Sequence, residues 1–188
     1  MDPVLGVTAY LEPDFPALTP LRAFKVHQQL RGPHPAVTTF QGRRRNVSRP
    51  QISRAARYLQ GLVDAATEMG WSAPAKADGH AGEPGPDLVI RLPSREIRVT
   101  VRELDEHGRP GLAFTTQVEY LTRTERTTMS KGFTASGKLK VTLTQGWESR
   151  PILTQRDADG AILESQLPAL VPLLVTHRSH HERYIRYL

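Results

Sequence analysis

Residues 88 to 102 read Leu-Val-Ile-Arg-Leu-Pro-Ser-Arg-Glu-Ile-Arg-Val-Thr-Val-Arg. Leu88–Leu92 is a short apolar run, and Ile97, Val99 and Val101 then alternate with Arg98, Thr100 and Arg102. A period of two is the spacing of a strand with one buried face. Pro93-Ser94-Arg95 joins the two runs, so the stretch predicts an antiparallel hairpin. Further on, Leu139, Val141 and Leu143 alternate with Lys138, Lys140, Thr142 and Thr144 and predict another strand. The polar, Thr-rich span 105–136 is long for a structureless loop, which places a strand near Val118–Leu121. Asp159-Gly160 marks a turn.

Helical signals flank the strands. Ser48 and Gln51 have capping-box spacing, with Pro50 tolerated in the first turn. Ile52, Ala55, Ala56, Leu59, Leu62, Val63, Ala66 and Met69 gather on one face, and Gly70 is a natural stop. The spacing predicts a helix over 49–69. Thr19-Pro20 starts an earlier helix, expected to run to about Arg31 and end at Gly32-Pro33. Ala36 to Phe40 forms one turn, followed by a polar basic loop from Gly42 to Asn46. Ile162 to Val175 is apolar enough for a buried terminal helix that Pro168 and Pro172 kink or split. Helix, then strands, then helix is the pattern of an α+β fold: two layers, an antiparallel sheet with helices packed on one face. It divides the chain into a Pro-containing lead-in with one helix (1–33), a single α+β domain (34–175) and a polar His/Arg-rich tail (176–188). No internal repeat is present.

The 188 residues suffice for one domain with a core, and 38% hydrophobic content lies well above the disordered range. Zero cysteines exclude a disulfide framework, thiolate chemistry and a Cys-based zinc site. They also suit a reducing compartment. Met1–Tyr10 lacks the basic and apolar regions of a signal peptide, and no run approaches the roughly 18 apolar residues of a membrane span. The expected location is cytoplasmic.

Charge carries the sharpest functional signal. From Phe15 to Val63 the chain holds Arg22, Lys25, Arg31, Arg43, Arg44, Arg45, Arg49, Arg54 and Arg57, with no Asp or Glu. These are nine of 25 basic residues, which leaves 16 elsewhere against all 19 acidic ones, a net charge of −3. The positive excess therefore sits in one early stretch and implies an anionic partner, most commonly nucleic acid. Arg43, Arg44, Arg45 and Arg49 precede or open the long helix, where free N–H groups and the positive dipole end favour phosphate. Arg54 and Arg57 are expected on its outward face, away from Ile52 and Leu59. Arginine grips phosphate in a fork that lysine lacks. The outward strand positions Arg98, Arg102, Lys138 and Lys140 form a second basic face.

Other constellations carry less. His177, His180 and His181 have helical metal-ligand spacing, but only Glu182 supports them, and a solvated tail explains them better. Arg123, Arg126 and Lys131 lie among hydroxyls in Thr122–Lys131, which reads first as a surface loop. Neither GxxxxGK[ST] nor GxGxxG occurs, so no nucleotide-cofactor loop is present. No cofactor, metal site or catalytic residue is assigned. Aromatics are sparse and none falls on an outward strand position, which argues against a base-stacking platform.

Two resemblances bear on function. Pro86-Asp87-Leu88-Val89-Ile90 followed by Ile97-Arg98-Val99-Thr100-Val101-Arg102 resembles the metal-binding hairpin of the PD-(D/E)xK nuclease superfamily. Asp87 matches that pattern, but Thr100 and Arg102 stand where the second acid and the lysine belong. One carboxylate cannot hold Mg²⁺ there. The resemblance thus implies at most a degenerate nuclease. Separately, His34-Pro35-Ala36-Val37, Val47-Ser48, Arg54-Ala55-Ala56-Arg57-Tyr58-Leu59 and Gly137-Lys138-Leu139-Lys140-Val141 before Trp147 resemble a domain of uncharacterised bacterial proteins. That resemblance covers roughly 34–175 and implies a link with mobile elements, but supplies no catalytic residues. The expected function is nucleic-acid binding, double-stranded DNA above all, through phosphates, as a binding protein or accessory subunit. The alternatives are a module docking an acidic protein and the degenerate nuclease. No membrane partner is expected.

Overall fold

The apolar stripe of the long helix needs a surface to cover, and the alternating strands supply one. The computed structural model describes residues 26–43, 46–75, 85–93, 95–111, 113–115, 127–129, 133–146, 151–158, 160–168 and 170. Two helices lead, α1 (Pro35–Arg43) and α2 (Arg49–Glu68). Six strands follow: β1 (Leu88–Leu92), β2 (Arg95–Asp105), β3 (Ala113–Thr115), β4 (Thr127–Met129), β5 (Ala135–Gln145) and β6 (Pro151–Arg156). A third helix, α3, is described over 163–168 and again at 170. The fold is α+β. Its antiparallel sheet has the order β1-β2-β5-β6, with β3 and β4 paired separately.

Register decides which side chains share a face. Leu88 pairs with Val99, and Val99 with Leu143; Val101 pairs with Val141, and Val141 with Gln155. The strand residues Ile90, Ile97, Val99, Val101, Leu139, Val141 and Leu143 are buried in one hydrophobic cluster. That cluster also holds Val37 and Phe40 of α1, Ala55, Tyr58, Leu59 and Leu62 of α2, and Leu163, Leu167 and Leu170. The last three recur at four and three residues, which is the helical spacing that puts them on one face. Each large side chain so buried contributes about 1.5–3 kcal/mol.

Four local outcomes depart from the sequence reading. Helix α1 runs nine residues instead of one turn, and His34 caps its start. The His34 carbonyl accepts from the Val37 and Thr38 amides (2.9 and 3.1 Å), and its Nδ1 accepts from the Ala36 amide at 3.2 Å. The basic loop is thereby shortened, with Gly42 and Arg43 taken into the helix. Residues 26–31 are not helical: Val26 and Leu30 lean on the core, and Gly32 turns the chain at φ 59° before Pro33. The rest of that expected helix, from Thr19, lies outside the described residues, as does the strand expected near Val118–Leu121. Strand β6 was not anticipated, since Pro151-Ile-Leu-Thr-Gln-Arg has two adjacent apolar residues and no alternation.

Helix α2 itself matches its predicted span to within a residue, and Gly70 stops it at φ 72°. Its one buried glycine, Gly61, lies directly against Leu167 and Val26. A Cβ there would stand 2.8 Å from Leu167 Cδ2 and 3.6 Å from Val26 Cγ2. Gly61→Val is therefore expected to destabilise the fold by about 1–3 kcal/mol through overpacking. Gly42→Ala, in an exposed helical position with nothing within 4 Å, is expected to stabilise by up to about 1 kcal/mol. Urea unfolding of the two variants checks both signs.

Candidate nucleic-acid interface

The N-terminus of α2 is the first candidate anion site, and an internal carboxylate already serves it. Ser48 takes the extended N-cap conformation, but its side chain makes no capping bond, so the expected Ser48/Gln51 box does not form. Glu103 of β2, only 1% exposed, does the work instead. Its Oε2 accepts from the Ser48 amide at 2.7 Å and its Oε1 from the Gly137 amide at 3.1 Å. The Glu103 amide in turn donates to the Asn46 carbonyl at 2.9 Å. A carboxylate at this position meets the positive end of the helix dipole. A phosphate at the same amide would have to displace it.

The arginines of the early basic stretch part company. Arg49 is exposed in the first turn of α2. Arg43 ends α1, while Arg44 and Arg45 lie outside the described residues. Arg57 donates from Nη1 to the Gln28 carbonyl at 2.8 Å, on the wall of a cleft of about 710 Å³ shared with Val26, Ile162 and Glu164.

Arg54 is not outward at all. Its Nη1 and Nη2 donate to the two oxygens of Asp157 (2.7 and 2.8 Å), and its Nε and Nη2 to the two oxygens of Glu164 (2.7 and 2.6 Å). The buried face of α2 is wider than the apolar pattern shows, because it includes Tyr58 and Gly61. Arg54 precedes those two by four and seven residues and so lies on their flank. The hydrogen bonds from Arg54 to Glu164 and then Asp157 hold its guanidinium protonated well above the usual arginine range. Burial alone would raise both carboxyls, but the Arg54 hydrogen bonds and charge hold each below the ordinary carboxylate range. Asp157 is further lowered by the Leu139 and Leu163 amides. Nearby, Tyr58 donates to Gln155 Oε1 at 2.8 Å, and burial pushes its phenol well above the ordinary value.

The sheet face opposite the core carries the second basic group. Arg102 of β2 pairs with Lys140 of β5, which pairs with Arg156 of β6. The three cations thus form one row across three strands. Arg156 was missed in the sequence because its strand was missed. Next to this row lies a second, Thr100 with Thr142 with Thr154. Arg102 and Lys140 are half-exposed and Arg156 is exposed. None of the three has an ion-pair partner among the described residues. Arg98, on the same face, is different: its side chain is 12% exposed and lies 3.4 Å from Glu96 Oε1. Val89 is buried beside it. Lys138 is exposed at the start of β5.

Asp87, the residue matching the nuclease pattern, serves the hairpin backbone. Its Oδ2 accepts from the Val101 amide at 2.7 Å, and its own amide donates to the Val99 carbonyl at 2.9 Å. Among the described residues no three His, Asp or Glu side chains gather as a metal site. His177, His180, His181, Arg123, Arg126 and Lys131 lie outside the described residues. No helix among the described residues is long and apolar enough to cross a membrane.

Arg54→Met is expected to cost about 3–5 kcal/mol, because it leaves two part-buried carboxylates without their cation. Both carboxyls are lowered in the fold, so their contribution is fully present above the unfolded values of about 4 and is lost as pH falls below them. The gap between wild type and Arg54→Met should be widest near neutrality and shrink in acid. Urea titrations across pH check this. Glu103→Ala should cost about 1–3 kcal/mol by orphaning the Ser48 and Gly137 amides. Compared with known protein families, curated proteins and solved structures, the chain matches none of them.

Proposed function

We propose that this protein binds nucleic acid, double-stranded DNA above all, chiefly through phosphate contacts, as a binding protein or accessory subunit. The observation that carries the reading is the segregation of charge: nine basic residues and no acidic one between Phe15 and Val63, in a chain otherwise net negative. Arg43, Arg44, Arg45 and Arg49 bunch at the α1–α2 junction. That junction adjoins the sheet, since the Asn46 carbonyl takes the Glu103 amide one residue from Arg102. Arg54 contributes to the fold and not to the ligand, because both edges of its guanidinium are filled by carboxylates. Contacts of this type position a duplex without reading its bases, so low sequence specificity is part of the proposal.

Fluorescence anisotropy with a labelled random-sequence duplex, across a salt series, tests the reading. Binding with a log–log salt slope of about −3 to −6 is expected, because each neutralised phosphate contributes about −0.9. Arg43/Arg44/Arg45→Ala should flatten that slope. Absence of binding at low salt would refute the proposal and turn attention to an acidic protein as the partner.

A further inference from the structure

We infer that the coreless face of the sheet is itself a docking site for a duplex nucleic-acid backbone, with Arg102, Lys140 and Arg156 as the phosphate-binding row. The inference rests on the nucleic-acid reading and names the surface that reading leaves open. Three observations carry it. First, the row is fixed by strand register and not by loop conformation: Arg102, Lys140 and Arg156 are directly cross-paired. Like charges placed directly opposite on neighbouring strands destabilise a sheet, and none of these three has a carboxylate against it among the described residues. An external polyanion relieves the repulsion.

Second, the dimensions suit a phosphate backbone. Adjacent strands lie about 4.8 Å apart, so three of them set the cations across about 10 Å. Phosphates of one DNA strand advance about 3.4 Å along the duplex axis while winding around it, and the long arginine and lysine side chains give the row the reach to follow successive ones. Thr100, Thr142 and Thr154 run parallel to the cations. Their hydroxyls add short neutral donors of the kind that meet phosphate oxygens.

Third, the chemistry of the face selects the form of the ligand. The central strand positions on it are held by Arg, Lys, Thr and Glu, with Val89 buried at one end and Leu104 at the other. No aromatic ring stands among them to stack an unpaired base. A duplex keeps its bases stacked on each other and offers only its backbone, which is all this face can hold. A single strand would leave its bases without partners here.

The test uses the full chain and anisotropy with a labelled random duplex, the same sequence as a single strand, and polyglutamate as a competitor. Arg102→Gln/Lys140→Gln/Arg156→Gln is compared with Arg43/Arg44/Arg45→Ala. The sheet triple variant should flatten the salt slope by nearly three phosphates' worth, at about 0.9 each. Arg156→Gln alone, at an exposed position on the edge strand, should flatten it by one such step and leave urea unfolding unchanged. Duplex should bind more tightly than single strand, and polyglutamate should compete poorly. An unchanged slope in both sheet variants, with binding lost in the loop variant, would overturn this inference and leave the nucleic-acid reading standing. Preference for the single strand, or polyglutamate competing as well as duplex, would overturn it too. No binding by wild type at low salt would remove the reading and the inference together.

Discussion

The carboxylate of Asp157 accepts hydrogen bonds from four donors that belong to three different parts of the fold. Arg54 supplies two from α2, the Leu139 amide one from β5, and the Leu163 amide one from the start of α3. Its own amide returns a bond to the Leu139 carbonyl. A carboxylate 8% exposed is tolerable only because all of its strong acceptor sites are filled. With Asp157 in place, the first turn of α3 is capped and Leu163 is set into the core. Arg54 is drawn inward, and Glu164 closes over its other edge. The apolar segment of α3 is thus located by polar contacts as well as by the packing of its leucines.

Glu103 repeats the device in the same row of the sheet, opposite Leu139, the residue that Asp157 also holds. There a strand carboxylate fastens the start of α2 and Gly137 of β5. Gly137 has φ 76° and its carbonyl faces Arg54 Nη1 at 3.4 Å, so the two polar hubs meet at a residue whose backbone favours glycine. Helix α2 is therefore held over the sheet by a carboxylate at its start and a guanidinium one turn later, in addition to its apolar stripe. Such groups add directionality that apolar burial lacks, which defines how the helix sits along the strands.

Much of this fold was legible in the sequence because it rests on periodicity. The hairpin, β5 and α2 each showed a clean period of two or of 3.6, and each appears where that period placed it. What escaped rests on polar residues whose partners are far away in sequence. Arg54 reads as surface charge because the apolar spacing of α2 leaves out Tyr58 and Gly61, which are buried. The signal for Glu103 was available: it continues the inward parity of Ile97, Val99 and Val101, and a charge at that parity calls for a buried partner. Asp157 gave no such hint, since it follows a short strand without alternation. The candidate interface divides in the same way. Arg102 and Lys140 were visible as outward positions of regular strands, whereas Arg156 needed the pairing of β6 before its place beside Lys140 had meaning.

The two central strands have a consequence for how the chain reaches this structure. Strands β2 and β5 pair from Ile97 with Gln145 to Asp105 with Ala135, with every intervening residue of the chain held in the loop between them. Closing such a loop costs entropy before any ladder bond repays it, and the cost rises only slowly with length. Helix α2 and the β1–β2 hairpin, both local, have no comparable debt. Pairs such as Asp105 with Ala135 raise the contact order of the domain, a quantity that across small domains tracks folding rate far more than stability.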